Sequence, residues 1–190
     1  MGQTLLSFTA GKTPPGPYHL AFDVPENHFR EAEGWIRDRV PLLGDGAAAT
    51  FFSPDWNAHM LYFADPCGNI LELIARHTRP HESTGDFGAS HLLNVSEVGV
   101  AVTDVPGTLE ALRNTLGTET YREGSATCSA AGTEDGLLIV VQTGRPWFPT
   151  ARAAVPLPVR IVARTPRPGT LTLPDGPVQA TGVIDREHHP

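Results

Sequence analysis

The sequence is short of lysine, cysteine and long apolar runs, and each shortage excludes a class of protein. Lys12 is the only lysine among 190 residues, and the net charge is −7. Nucleic-acid binding is therefore not expected, because phosphates require clustered basic side chains. Cys67 and Cys128 are the only cysteines, which excludes a disulfide framework and a zinc site built on sulfur. No stretch approaches the ~18 apolar residues of a membrane span, so no membrane partner is expected.

Signals for export and for common nucleotide or nucleophile chemistry are also missing. The first residues carry no basic cluster and no long apolar run, so they do not read as a secretory signal. With so few cysteines, the expected location is the cytoplasm. No G-x-S-x-G, G-x-x-x-x-G-K-[ST] or G-x-G-x-x-G motif occurs. The 19 glycines and 18 prolines are typical of a globular chain with many turns.

The apolar pattern predicts the same order of elements twice: one strand, one helix and three further strands. The first copy has a strand over 18–24, a helix after Pro25, and strands near 48–52, 60–63 and 70–74. The second copy has a strand over 96–102, a helix after Asp104–Pro106 that ends at Gly117, and strands near 120–122, 126–130 and 137–141. Such self-similarity indicates duplication of one supersecondary unit.

The repeat also sets the predicted division of the chain. Aligning the ends of the two first strands places Glu97 at the position of His19. The predicted segments are a leading strand in 1–17, a first unit over 18–76, a linker over 77–92, a second unit over 93–144 and a proline-rich extension over 145–190. Strands are expected in that extension at 159–163 and 171–173, with a turn over 174–177.

Two segments carry a family resemblance. Residues 17–24 read PYHLAFDV, and residues 62–72 read YFADPCGNILE. With the acidic helix between them, they resemble the vicinal oxygen chelate superfamily, which includes glyoxalases, bleomycin-resistance proteins and extradiol dioxygenases. The second segment is similar to that superfamily's YF-x-DP-x-GN-x-x-E signature. The resemblance covers residues 18–76 well and 96–142 more loosely.

The resemblance implies an α+β fold in which paired βαβββ units form a cupped mixed sheet of the glyoxalase/dioxygenase type. It also implies a divalent metal in the cup, held by a histidine of a first strand and a glutamate of a last strand. Those positions are His19 and Glu72, and Glu97 is the candidate third ligand. A subgroup with an extra upstream unit implies that Thr4–Phe8 is that unit's last strand, so most of such a unit would be lacking here.

Strand alternation independently predicts which side chains share a face. His19 lies on the face of Ala21 and Asp23, and Glu72 lies on the face of its own neighbours two residues away. A carboxylate within an apolar run requires compensation, which could be a metal, Arg76 or a raised pKa. An imidazole with carboxylates suits Fe, Mn, Ni or Zn, without a choice among them.

The candidate catalytic residues are His59 and Tyr62. His59 could donate a hydrogen bond to a metal ligand, act as a proton shuttle or lie on the surface. Alternation puts Tyr62 on the opposite face of its strand, so the two should not act as a pair. Trp56 and Asn57 are candidates for the rim of the cup. Arg145, Trp147 and Phe148 could cover a ligand or anchor the tail.

The sequence therefore favours a metal-dependent enzyme acting on a small oxygenated substrate, either as a dioxygenase or as a lyase or isomerase. An extradiol site with two histidines and one glutamate is disfavoured, because Glu97 takes the second histidine's place. The alternatives are a non-enzymatic protein that binds a small molecule, as resistance-type relatives do, and an inactive unit completed by dimerisation. A homodimer is expected.

Overall fold

The computed structural model describes residues 4–9, 16–44, 49–173 and 178–184. The chain divides into two compact units. Unit 1 comprises residues 1–13, 17–97 and 147–152, and unit 2 comprises residues 14–16, 98–146 and 153–190.

Unit 1 contains the predicted strand, helix and three strands, plus one short extra strand. Its elements are β1 (His19–Asp23), a 3-10 turn (Glu26–His28), α1 (Phe29–Arg37), β2 (Leu42–Leu43), β3 (Thr50–Ser53), β4 (Ala58–Ala64), β5 (Ile70–Arg76), a 3-10 turn (Ala89–His91) and the start of β6 (Val95–Val102). The predicted strands are confirmed, with boundaries shifted by a few residues. The helix ends before Val40, because Pro41 cannot continue it.

The register of the unit 1 sheet places the candidate residues on one face. Strand β1 is parallel to β5 with Ala21 opposite Glu72, and β4 is antiparallel to β5 with Tyr62 opposite Glu72. Residues that face each other across a ladder share a side of the sheet, and so do residues two apart along a strand. His19 and Tyr62 therefore share the side of Glu72, here called the cup face.

The other side of the same sheet is covered by α1. Phe22, Leu71 and Leu73 project towards that helix and line a cavity of about 270 Å³ together with Trp35 and Ile36. The alternation along β1 and β5 thus separates an apolar, helix-covered side from the cup face. This separation is what makes the polar residues of the cup face candidates for function.

Unit 2 repeats this order of elements, and distinct residues begin and end its helix. It contains the remainder of β6, α2 (Val105–Leu116), β7 (Thr120–Ser125), β8 (Cys128–Thr133) and β9 (Gly136–Gln142), in the sheet order β6–β9–β8–β7. Gly117 ends α2 in the left-handed conformation, with φ of 69°, which glycine adopts without a steric cost. Asp104 begins the helix, since its Oδ1 accepts a hydrogen bond of 3.0 Å from the Gly107 N–H.

Asp104→Ala should lower the free energy of unfolding by about 1 kcal/mol, because it removes the oxygen that caps α2. Urea unfolding followed by circular dichroism measures the change. Glu110→Ala is the matched control, since it removes an exposed carboxylate from the middle of the same helix. Equal losses in the two variants would show that the cap contributes nothing.

The C-terminal part of unit 2 forms a second, three-stranded sheet. Strands β10 (Val159–Arg164) and β11 (Gly169–Thr172) confirm the two predicted strands, and β12 (Val178–Val183) lies between them in the sheet. The sheet packs on α2 through a buried cluster that includes Leu112, Leu116, Leu173, Val178 and Ala180. Sequence reasoning missed β12, because its small and polar residues give a weak strand pattern. The predicted turn over 174–177 lies outside the described residues.

Of the predicted leading segment 1–17, the structure describes residues 4–9 and 16–17. Residues 4–9, where the strand was expected, do not form one. Leu5 and Phe8 are 90% and 66% exposed, so these apolar side chains have no sheet to pack against. A strand needs a neighbouring strand to satisfy its backbone, and an apolar pattern alone does not supply one. Within the described ranges, no helix is both long and apolar enough to cross a membrane.

Candidate metal centre

His19 begins β1 and is buried on the cup face, with 6% of its surface exposed. Burial lowers its pKa from 6.5 to about 4, against a smaller opposing effect of a backbone hydrogen bond with Ile70. The ring is therefore neutral at pH 7 and offers a lone pair. Its Nε2 lies 3.6 Å from Glu72 Oε2, which is too long for a hydrogen bond. The two groups are neighbours without being an ion pair.

Glu72 lies in the middle of β5 and is 3% exposed. Burial raises the pKa of its carboxyl well above the ordinary value, and the nearby charge of Glu97 raises it further. The positive charge of the Arg76 guanidinium and the neighbouring Tyr62 hydroxyl oppose this rise. Among the described residues no lysine or arginine forms an ion pair with Glu72, so Arg76 compensates its charge only from beyond contact distance.

Glu97 and Asp23 are, by contrast, paired with Arg76. Arg76 lies four residues after Glu72 on β5, on the same cup face. Arg76 Nη2 donates to Glu97 Oε1 at 2.5 Å, and its Nε donates to Asp23 Oδ1 at 3.2 Å. Arg79 adds a second, partly exposed contact to Asp23 Oδ2 at 3.3 Å. Burial raises the pKa of both carboxyls, and Arg76 opposes that rise at each. The guanidinium thus holds two buried acids in place.

His19, Glu72 and Glu97 form a buried cluster in which one ligand atom from each lies within 4.8 Å of the others. Two ligands of one ion, with bonds of about 2.1 Å at a tetrahedral angle, are roughly 3.4 Å apart, close to the 3.6 Å between His19 and Glu72. The donor set of one neutral imidazole and two carboxylates also suits a divalent transition metal. The residues present therefore fit a metal, and Glu72 is the carboxylate that most needs one.

Aromatic side chains surround this cluster. The Tyr62 ring lies 6.4 Å from the His19 ring, and the Trp147 ring lies 5.0 Å from it on the chain that returns to unit 1. Phe148 packs edge-on against Tyr62 and Phe51. Burial, followed by the charge of Glu72, raises the pKa of Tyr62 well above its ordinary value, so its hydroxyl keeps its proton.

His59 lies away from the cluster. Within β4 it is three residues from Tyr62, and an odd separation along a strand puts two side chains on opposite sides of the sheet. Its ring contacts Phe29 of α1 and Phe52 of β3 instead. The structure therefore does not bring His59 to the predicted ligands, whereas it brings Tyr62 next to Glu72.

The remaining candidates have mixed positions. Trp56 lies near the cluster, with the Arg76 guanidinium 5.4 Å from its ring centre. Asn57 contributes its backbone carbonyl, which accepts from the His77 N–H. Trp147 is 6% exposed and packs with the cup aromatics, while Arg145 is exposed. The role of Arg76 as a partner of Glu97 and Asp23 was missed, although alternation along β5 places its side chain on the cup face.

No protein-family model matches the chain, and no curated protein matches it. Glyoxalase I from Zea mays is 16% identical, with a TM-score of 0.52 over 88% of this chain and 68% of that protein. A proposed dioxygenase from Bacillus subtilis is 15% identical, with a TM-score of 0.51 over 77% of this chain, which spans 46% of that protein's length.

At this level of identity the likeness shows the fold. The predicted α+β architecture of βαβββ units is confirmed as the glyoxalase/dioxygenase-like fold, and the resemblance read from residues 62–72 is confirmed to that extent. The reaction of either similar protein is not transferred by the likeness. The function must therefore be argued from the cluster itself.

Proposed function

With the glyoxalase/dioxygenase-like fold as the starting point, we propose that the chain is a divalent-metal-dependent enzyme of the dioxygenase or the lyase/isomerase type. Its substrate would be a small molecule with two neighbouring oxygens. The observation that supports this most strongly is the buried cluster of His19, Glu72 and Glu97, in which no arginine or lysine of the described residues forms an ion pair with Glu72. A bound divalent ion supplies a Lewis acid that polarises an oxygenated substrate.

Each residue of the cluster has a distinct task in this proposal. His19 contributes the lone pair of a neutral imidazole, which its lowered pKa keeps unprotonated at pH 7. Glu72 contributes a carboxylate whose oxygen Oε2 lies 3.6 Å from His19 Nε2. Glu97 has one oxygen, Oε1, occupied by Arg76, which leaves Oε2 as the ligand atom. Arg76 therefore acts as a positioning residue that fixes the orientation of Glu97.

The aromatic side chains provide the surroundings of the reaction. Tyr62 keeps its proton, which its hydroxyl donates to Met60 Sδ at 3.1 Å. A substrate oxygen or Glu72 would have to replace that weak acceptor, and the protonated hydroxyl cannot serve as a base at neutral pH. The Trp147 ring packs on His19 and the Phe148 ring packs on Tyr62, so both lie beside the cluster. The three ligand side chains are themselves buried, and low access to water strengthens the electrostatic interactions within the site.

Metal analysis of protein prepared without chelator, and separately loaded with Fe(II), Mn(II), Ni(II) or Zn(II) under anaerobic conditions, tests the proposal. We expect the wild type to hold an equivalent of metal that His19→Ala loses, because the imidazole is the only nitrogen ligand of the cluster. His81→Ala is the matched control, since it removes an exposed imidazole. Retention of all metal by His19→Ala would contradict the assignment of the site.

One observation favours a second candidate, a metal-free protein that binds a small molecule. Arg76 already compensates Glu97 and Asp23 within the fold, and a protonated Glu72 would need no cation. A protonated Glu72 and the Tyr62 hydroxyl would then bind a polar ligand by hydrogen bonds. Failure of the wild type to take up any of the four metals at the cup would favour this candidate.

A further inference from the structure

A second group of ligating side chains lies on the helix-covered side of the unit 1 sheet, away from the cup face. His59 of β4 and His77, which directly follows β5, face each other with their Nδ1 and Nε2 atoms 2.7 Å apart. The other nitrogen of His77, Nδ1, lies 2.8 Å from Glu26 Oε2. The three residues thus form a line of carboxylate, imidazole and imidazole.

The hydrogen bonds in this line determine which nitrogens carry protons. Glu26 can only accept, so His77 Nδ1 is the nitrogen that donates to it. In neutral His77 the lone pair is then on Nε2, which points at His59 Nδ1 and accepts the proton of that nitrogen. A single proton therefore lies between two imidazole nitrogens, at the place where one cation could bind to both.

The surroundings suit a site that exchanges ions with solvent. The His77 and Glu26 side chains are 30% and 27% exposed, so the line is open to water. Phe52, which is 51% exposed, packs on the His59 ring, and Phe29 packs on it from α1. These rings fix the plane of His59, which reduces the conformational freedom that ligand binding would otherwise have to remove.

We propose that His59 and His77 form a second transition-metal site in which Glu26 orients His77. The metal takes the place of the proton between His59 Nδ1 and His77 Nε2, and His59 takes up its tautomer with the proton on Nε2 by exchange with solvent. Water completes the coordination of the metal. A carboxylate that holds the far nitrogen of a ligating histidine is the usual partner arrangement of metal-binding imidazoles. Imidazole ligands suit Zn²⁺, Ni²⁺ and Cu²⁺, and Cu²⁺ should bind most tightly.

The required movement is small. Two imidazole nitrogens bound to one ion at about 2.1 Å are roughly 3.4 Å apart, so the 2.7 Å pair must open by well under 1 Å. His77 lies in the turn after β5 and its side chain is partly exposed, so it can move without disturbing the sheet. The site is thus nearly assembled before the ion arrives.

Titration of chelator-treated protein with Zn²⁺ and, separately, Cu²⁺ tests this site. The titration is made in the wild type and in a Glu72→Gln background, which disables the cup cluster. We expect His59→Ala and His77→Ala each to lose one equivalent in both backgrounds, and Glu26→Gln to weaken binding of that equivalent by about 10–100-fold. The Cu²⁺ electron paramagnetic resonance spectrum should show coupling to two imidazole nitrogens.

His81→Ala is again the control, because it removes an exposed histidine of the same unit. Binding by His59→Ala and His77→Ala that matches the wild type would overturn the proposal, and so would an equal loss in His81→Ala. Thermal unfolding shows that each variant is folded. The proposal does not depend on the cup cluster. Metal bound at His59 and His77 with none at the cup would contradict only the proposed function. Metal bound at the cup with none at His59 and His77 would contradict only this inference.

Discussion

Glu72→Gln should abolish metal binding at the cup and, in the absence of metal, make the protein more stable than the wild type. The amide keeps the shape of the side chain but carries no charge, so it cannot replace the carboxylate ligand and does not need a cation. We expect the metal-free variant to gain on the order of 1–3 kcal/mol in the free energy of unfolding near pH 8. With metal at about 100 times Kd, the wild type should gain about 2.7 kcal/mol that the variant does not.

The sign of the pH dependence follows from the direction of the pKa shift. The pKa of Glu72 is higher in the folded protein than the ordinary value of 4.5, so the folded state binds more protons than the unfolded state above that pH. Its contribution to stability is therefore fully present below about pH 4.5 and is lost as the pH rises through the folded-state pKa. The gap between Glu72→Gln and the metal-free wild type should widen over the same range.

Urea unfolding in chelator at about pH 5.5 and pH 8, and again with metal, measures these differences. Glu110→Gln is the control, because it removes an exposed carboxylate of α2 and should change neither quantity. A Glu72→Gln variant that is less stable than the wild type without metal would show that the carboxylate is stabilised by the protein alone. Unchanged metal binding in the variant would show that Glu72 is not a ligand.

Much of the fold followed from local pattern. The period-two alternation of β1 predicts that strand and the face on which His19 lies, and alternation along β5 gives the face of Glu72. That these two faces coincide is a result of the sheet register, in which Ala21 lies opposite Glu72. The turn at Asp65–Asn69 was also predictable, since its proline, glycine and asparagine permit few other conformations. The second sheet was less predictable from the sequence, because β12 has few apolar residues of its own and pairs with β10 and β11.

The pairing of charges in the cup could not be predicted, although the faces could. Alternation puts Asp23, Glu72 and Arg76 on one side, but it does not say which carboxylate the guanidinium reaches. That choice depends on the position of Glu97, which comes from a strand of the second repeat. Sequence reasoning named Arg76 as a possible partner of Glu72, whereas the structure pairs it with Glu97 and Asp23.

Arg76→Met should be the most destabilising single substitution at the cup. It keeps much of the apolar stem but removes the charge that holds Glu97 and Asp23, and a buried ion pair that loses one partner typically costs about 3–5 kcal/mol. The free energy of unfolding of Arg76→Lys should lie between those of the wild type and Arg76→Met. An ammonium keeps the positive charge but cannot bridge two carboxylates as the planar guanidinium does. Urea unfolding in chelator gives the values, with Arg113→Met on the exposed side of α2 as the matched control.

A divalent cation should partly rescue Arg76→Met, because it replaces the missing positive charge beside Glu97. The variant should therefore bind metal more tightly than the wild type while being less stable without it, a combination that general damage to the fold would not produce. If Arg76→Met does not fold alone, Arg76→Met with Asp23→Asn and Glu97→Gln removes all three charges together and should recover most of the stability. A loss below about 1 kcal/mol in Arg76→Met would show that the guanidinium does not hold these two carboxylates against their own repulsion. Weaker metal binding would show that the positioning of Glu97 by Arg76 outweighs the repulsion between its charge and the metal.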